Sequence, residues 1–195
     1  METLLSVCLG IGLSAACGFR VFVPLLIMSI ASLSGHLHLA SNFAWIGSYP
    51  ALIAFSVATC LEIGGYYIPW LDHLLDTMAT PAAVVAGAIV TASIVTDMSP
   101  LMKWALAIIA GGGAAGVVQG STVLARGAST ATTGGLGNPI VATIELAGAV
   151  LTSILALVAP FLVVGIPLVC LAFIARKLRR RSANTRAAAA QTAVG

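Results

Sequence analysis

Residues 139–175 read PIVATIELAGAVLTSILALVAPFLVVGIPLVCLAFIA, thirty-seven positions in which Glu145 is the one charged side chain. At 1.5 Å per residue a single helix of that length runs about 55 Å, nearly twice the ~30 Å hydrocarbon core of a bilayer. Ala159-Pro160 is the natural break, because proline lacks a backbone donor and disfavours helix in the residue before it. The stretch is therefore read as two helices, 139–159 and 161–176, folded as a tight hairpin. One long kinked helix is the alternative. Either way it calls for an apolar solvent.

The rest of the chain agrees. Of 195 residues, 59% are hydrophobic and 8% charged, against about 25% charged in a soluble domain. Six of the nine Lys and Arg crowd into 176–186, so residues 1–175 hold three basic and six acidic groups, a balance of −3. The overall charge of +3 belongs to the tail and does not advertise a nucleic-acid partner. A basic cluster such as Arg176-Lys177-Leu178-Arg179-Arg180-Arg181 directly after an apolar run marks the cytoplasmic side. Cys8, Cys17, Cys60 and Cys170 lie in apolar stretches without a C-x-x-C pair, so they read as packing residues. Glu2 and the lack of a basic n-region argue against a cleaved signal peptide.

These features predict an all-α, polytopic transmembrane bundle, one domain over 1–178 with a basic and then alanine-rich cytoplasmic tail over 179–195. Six helical segments are expected, near 3–31, 50–69, 81–97, 101–124, 139–159 and 161–176. Six crossings put the N-terminus inside; five put it outside. Segment 3–31 is longer than a span and contains Gly10, Gly12, Gly18 and Pro24, so a tilt, kink or break near Gly18 is expected. Residues 125–138 read as an irregular Gly/Ala/Ser/Thr connection. The stripes Gly10/Ser14/Gly18 and Gly112/Gly116/Gly120 put three small residues on one helix face, the chemistry of close helix contact within or between protomers. Their likeness reads as shared packing chemistry rather than an inverted repeat.

Buried charge is the functional clue, since a charged side chain at mid-span costs about 2.5–3.5 kcal/mol. Arg20 and Glu62 each lie about 4 Å from the middle of their segments. On antiparallel neighbours that separates them by about 8 Å, a gap that long side chains or one water close. Glu62 is thus the first-choice partner of Arg20, and Glu145 the second. Asn138-Pro139 is a helix-start signature, which puts Glu145 where the N-terminal dipole favours a carboxylate. Gln119, Ser121, Thr122 and Arg126 make the end of the fourth segment polar. Between two spans, Asp72 and Asp76 stand at i and i+4 on one helix face, as a cation or proton site or as part of a short interfacial helix anchored by Tyr66, Tyr67 and Trp70. His36 and His38 have no third ligand nearby. No metal or cofactor site is expected. Gly134-Gly135-Leu136-Gly137-Asn138-Pro139 lacks the Lys-Ser/Thr ending of a phosphate loop, and no nucleophile–base set is evident. An enzyme is not expected.

Read in order, Gly12-Leu13, Phe22-Val23-Pro24-Leu25-Leu26, Ile68-Pro69-x-x-Asp72-x-x-x-Asp76, Pro81 with Ala86-Gly87, and Gly135-Leu136-Gly137-Asn138-Pro139-x-x-x-x-x-Glu145 resemble the bacterial membrane family called domain of unknown function 4126. The likeness runs from about residue 3 to 160. Thr80 stands where that family usually carries a basic residue, and Leu146 where a second acid often follows the glutamate. The latter counts against a paired-carboxylate role at Glu145. The resemblance implies an all-helical integral membrane protein and marks Asp72, Asp76, Asn138 and Glu145 as motif positions; it implies no activity. The expected location is the bacterial inner membrane.

The expected function is a small-solute or ion transporter or channel subunit, as a homo-oligomer in the lipid bilayer. Its pathway residues would be Arg20, Glu62, Asp72, Asp76, Gln119, Arg126, Asn138 and Glu145. The competing reading is a non-transporting scaffold or assembly subunit whose buried charges are structural.

Overall fold

The computed structural model describes residues 2–170 together with 173, 176 and 177. Among them all regular structure is helical: α1 (Glu2–Cys17), α2 (Phe22–Leu33), a 3₁₀ segment (Ser41–Gly47), α3 (Tyr49–Gly65), α4 (Pro69–Ile94), α5 (Pro100–Thr133), α6 (Asn138–Val158) and α7 (Pro160–Cys170). From Leu74 onward α4 is long and apolar enough to cross a membrane, as are α5 and α6. The 3₁₀ segment with α3, bent by 62°, is a fourth candidate. The chain is an all-α bundle with several apolar helices, consistent with an integral membrane protein. The tail over 179–195 lies outside the described residues.

Segment 3–31 is two helices, not one span. Starting α2 at Phe22 keeps Pro24 in the first turn, where its missing N–H is no loss. A continuous helix would instead set its ring against the Arg20 carbonyl. After the break the chain turns back. Gly10 of α1 packs on Thr91 near the end of α4, and Met28 of α2 returns to the same level, its sulfur 3.9 Å from Ser93 Oγ. Beyond α2, the Ala40 N–H donates to the Ser93 carbonyl at 2.8 Å. Both open ends of the α1–α2 hairpin therefore sit at one end of the bundle, with residues 18–21 as a tip buried inside it.

Two expectations are corrected. The aspartate segment is not a connection between spans but the opening of α4, which continues through Pro81 to Ile94. Residues 125–133 are not irregular either, for α5 runs on to Thr133. There Ser and Thr hydroxyls bond to carbonyls one turn back, as in Thr132 to Ala128 and Thr133 to Ser129, so they supplement the helix. Gly134 ends it in the left-handed region at φ 63°, donating its N–H to Thr130, a conformation glycine adopts without a Cβ penalty. The next helix starts at Asn138, which leaves a connection of four residues. The chain breaks again at Ala159 (φ −144°) before Pro160. α7 then runs alongside α1, with Val163 against Gly12.

The tightest packing is where α1, α4 and α5 meet. Ser14 Oγ donates to the Gly87 carbonyl at 2.6 Å and lies 2.9 Å from Thr91 Oγ1. Residues 107–112 of α5 form a π-helical turn, which brings Gly111 against Thr91 and the Gly87 backbone. A Cβ on Gly18 would come within 2.6 Å of Val118 Cβ and 2.9 Å of the Gln119 nitrogen. The second stripe is mixed, since Gly112 and Gly116 face Val84 while Gly120 meets open space. Gly18→Val should therefore lower stability by about 1–3 kcal/mol or more through overpacking, and Gly120→Val should leave it nearly unchanged. Thermal melts of the detergent-solubilised protein check the contrast.

Candidate functional site

The hairpin tip creates a local problem. A helix leaves its first N–H groups without intrahelical partners, and inside a packed bundle such groups must find acceptors from the protein. The N–H groups of Val21 and Phe22 at the start of α2 both donate to Glu62 on α3, to Oε1 at 2.7 Å and Oε2 at 3.1 Å. Glu62 is thus a cap supplied from another helix, at the end of α2 where the dipole favours negative charge. This corrects the expectation that Glu62 is the first partner of Arg20. Depth along an unbroken helix put them together, whereas the break exposes amides that claim the carboxylate.

Arg20 pairs with Glu145 instead. Its Nη2 donates to the Ala142 carbonyl at 2.9 Å and lies 3.6 Å from Glu145 Oε2, both on α6. Glu145 also takes a two-pronged contact from Arg126 of α5, with Nε donating to Oε1 at 3.0 Å and Nη2 to Oε2. Arg126 Nη1 reaches Asp76 Oδ1 on α4 at 3.2 Å. Both Arg126 and Glu145 stand seven residues from the loop joining their helices, about 10 Å along each axis, so the pair faces across the α5–α6 hairpin.

Tyr66 completes the arrangement, and sequence reasoning missed it. Its place in the chain suggests an interfacial anchor, but it is only 4% exposed. Its ring is held between the two guanidinium groups, with Arg20 Cζ 3.8 Å and Arg126 Cζ 3.9 Å from the ring centroid. The negative face of an aromatic ring attracts each cation, and Glu145 offsets their mutual repulsion. The available signal was the spacing from Glu62: residues four apart share a helix face, so a tyrosine one turn past a buried carboxylate points toward the same interior.

The remaining expected residues border this centre. Gln119 and Thr122 are buried on α5, with Thr122 Oγ1 donating to the Gln119 carbonyl at 2.9 Å. Asn138 is buried at the start of α6, its Nδ2 3.2 Å from Thr130 Oγ1, and so ties α6 to the last turn of α5. The side chain of Asp72 lies outside the described residues. Two crevices lead to the charges. One, of about 360 Å³, is lined by Asp76, Thr77, Thr80 and Arg126. The other, of about 420 Å³, opens between α3 and α4 with Glu62 and Tyr66 set among apolar side chains.

One group is left incomplete. Arg20 is 2% exposed, yet its Nε and Nη1 find no acceptor among the described residues. Since guanidinium carries five N–H bonds, three of them (one on Nε, two on Nη1) are unused. The described charges of the centre are Arg20 and Arg126 against Glu62, Asp76 and Glu145, two positive and three negative.

The family profile described as "Domain of unknown function (DUF4126)" matches residues 7–180, and the chain belongs to that family. No curated protein and no solved structure matches it.

Because Glu145 serves two buried cations, Glu145→Ala should cost about 3–5 kcal/mol, and adding Arg126→Ala should recover part of the loss. Tyr66→Phe keeps the ring and should be close to neutral. Tyr66→Leu should lose about 0.5–2 kcal/mol for each cation–π contact. Chemical or thermal unfolding in detergent measures all four.

Proposed function

We propose that this member of the family is a multi-pass protein that carries a small solute or ion past the Arg20–Glu62–Glu145 centre, without catalysis. The observation that supports it is the incomplete bonding of Arg20. A structural ion pair buried in a bundle is stable when its hydrogen-bonding capacity is used, and three unused N–H bonds at 2% exposure suit a group whose acceptor comes and goes. Broken helices meeting at a charged centre are also a recurring way that transporters build a substrate site.

In this reading α1 and α2 form a re-entrant hairpin that enters and leaves by one face, while α3 to α7 make five crossings. The basic cluster after α7 then puts the C-terminus in the cytoplasm of an inner-membrane protein, with the N-terminus outside. The charged centre is nearer the cytoplasmic face. The scaffold reading is favoured by Arg126, whose bonds to Glu145 and Asp76 are what a purely structural charge would make.

Flux into proteoliposomes separates the two readings. Wild type should move a solute from a panel of small ions and neutral molecules, and Arg20→Gln should abolish that movement while still folding. A folded wild type that moves none of the panel supports the scaffold. The topology has its own check, in a background with the native cysteines replaced. Glu2→Cys and His36→Cys should react with an impermeant thiol reagent from one side, and Leu136→Cys (86% exposed) from the other. Labelling of residues 2 and 36 from opposite sides would show 3–31 to be a crossing.

A further inference from the structure

We propose that Glu62 is a tethered competitor that occupies a binding site for a small monocarboxylate, and that the free acid anion replaces it when Glu62 takes up a proton. This names the solute class of the centre proposed above and rests on that centre being accessible. Its argument begins with what Glu62 does now. Each carboxylate oxygen takes one backbone N–H, Oε1 from Val21 and Oε2 from Phe22. The pair of amides opens α2, a twelve-residue helix whose dipole favours an anion there. A second carboxylate reproduces that contact oxygen for oxygen, and a halide does not.

Arg20 supplies the independent observation. It is the residue immediately before Val21, and its ring partner Tyr66 lies one turn along α3 from Glu62. Its three unused N–H bonds are buried in a guanidinium stacked on Tyr66, a ring that lines the same crevice as Glu62, and Glu62, held by the amides, makes no hydrogen bond to them. Room exists as well. Glu62 lines the 420 Å³ crevice with Val21, Phe22, Tyr66, Leu61 and Met78, which offers its side chain a place to withdraw and a short alkyl group an apolar wall.

Charge decides that a proton must accompany the anion. With Glu62 ionised, the described centre holds two cations and three carboxylates, net −1. Adding a carboxylate alone makes it −2, a cost that rises steeply away from water. If one proton from water binds the displaced Glu62 carboxylate, the centre holds Arg20 and Arg126 against Asp76, Glu145 and the ligand, net −1 again. One anion and one proton therefore bind together. Among the described residues, the groups that set this exchange are Cys17, Arg20, Tyr66 and Arg126 around Glu62, with Asp76 and Glu145 joined through Arg126.

Acetate is the probe, titrated by calorimetry into the whole purified protein in detergent. With one proton linked to each anion, wild-type affinity should fall up to about tenfold per pH unit between about pH 6 and about pH 8. In weakly buffered solution wild type should take up about one proton per acetate bound, a readout that needs no variant. Glu62→Gln, which is permanently uncharged, should bind acetate at least as tightly as wild type at low pH and without that pH dependence. Arg20→Gln should lose at least tenfold. Binding without proton uptake, acetate affinity reduced by Glu62→Gln in a folded protein, or no acetate binding to wild type and folded Glu62→Gln alike would each overturn the proposal. Flux of another solute together with absent acetate binding would remove the carboxylate assignment and leave transport standing. Acetate binding without flux would do the reverse.

Discussion

A helix that begins inside the bundle must find acceptors for its first amides, and the architecture is arranged around that need. Gly18 lets α1 approach α5 closely enough to end there, and Pro24 confines α2 to a fresh start at Phe22. The N–H groups of Val21 and Phe22 then lie inside the bundle without acceptors from their own helix. Glu62 meets them across from α3, which sets how far α3 lies along α2. An amide pair and a carboxylate thereby hold α2 and α3 in register, where small side chains alone would permit sliding.

The second set of charges follows from the first. Placing the tip at that depth leaves Arg20 among α3, α5 and α6, and Arg126 arrives from the opposite side of Tyr66. Two cations on either face of one ring are tolerated because Glu145 contacts both and Asp76 contacts the second. Each carboxylate in the centre therefore has a distinct partner set. Glu62 neutralises a helix end, Glu145 bridges two arginines, and Asp76 orients one of them. Arg126 is held from α4 and α6 and stacked from below, whereas Arg20 has one carbonyl, one distant carboxylate oxygen and a ring. That asymmetry distinguishes the rigid side of the centre from the side able to accept something else.

Much of this was legible in residue types. Apolar runs with few charges announced the helices, Pro160 marked a break, Asn138-Pro139 marked a start, and Arg20, Glu62 and Glu145 stood out as costly in hydrocarbon. Direction was not legible. Whether the chain continues or turns back after Gly18 depends on packing against Thr91 and Ser93, some seventy residues away, and no local period records that. The pairing of Arg20 failed for the same reason, since depth was counted along a straight helix. Residues 125–133 misled because glycine, serine and threonine favour loops in water, yet in a tightly packed bundle their hydroxyls return to helix carbonyls. Tyr66 was hidden by a true generality, that tyrosines gather at membrane interfaces; only its spacing from Glu62 set it apart.

The hairpin tip also dictates an order of assembly. Arg20 is synthesised more than a hundred residues before Ala142 and Glu145, the groups on α6 that receive its Nη2. The amides of Val21 and Phe22 wait likewise for Glu62. Until those segments emerge, driving the tip into hydrocarbon exposes an uncompensated guanidinium, at about 2.5–3.5 kcal/mol on insertion scales. The α1–α2 hairpin therefore gains its final contacts only once α3 and α6 are in place, because the partners of its tip all lie later in the chain.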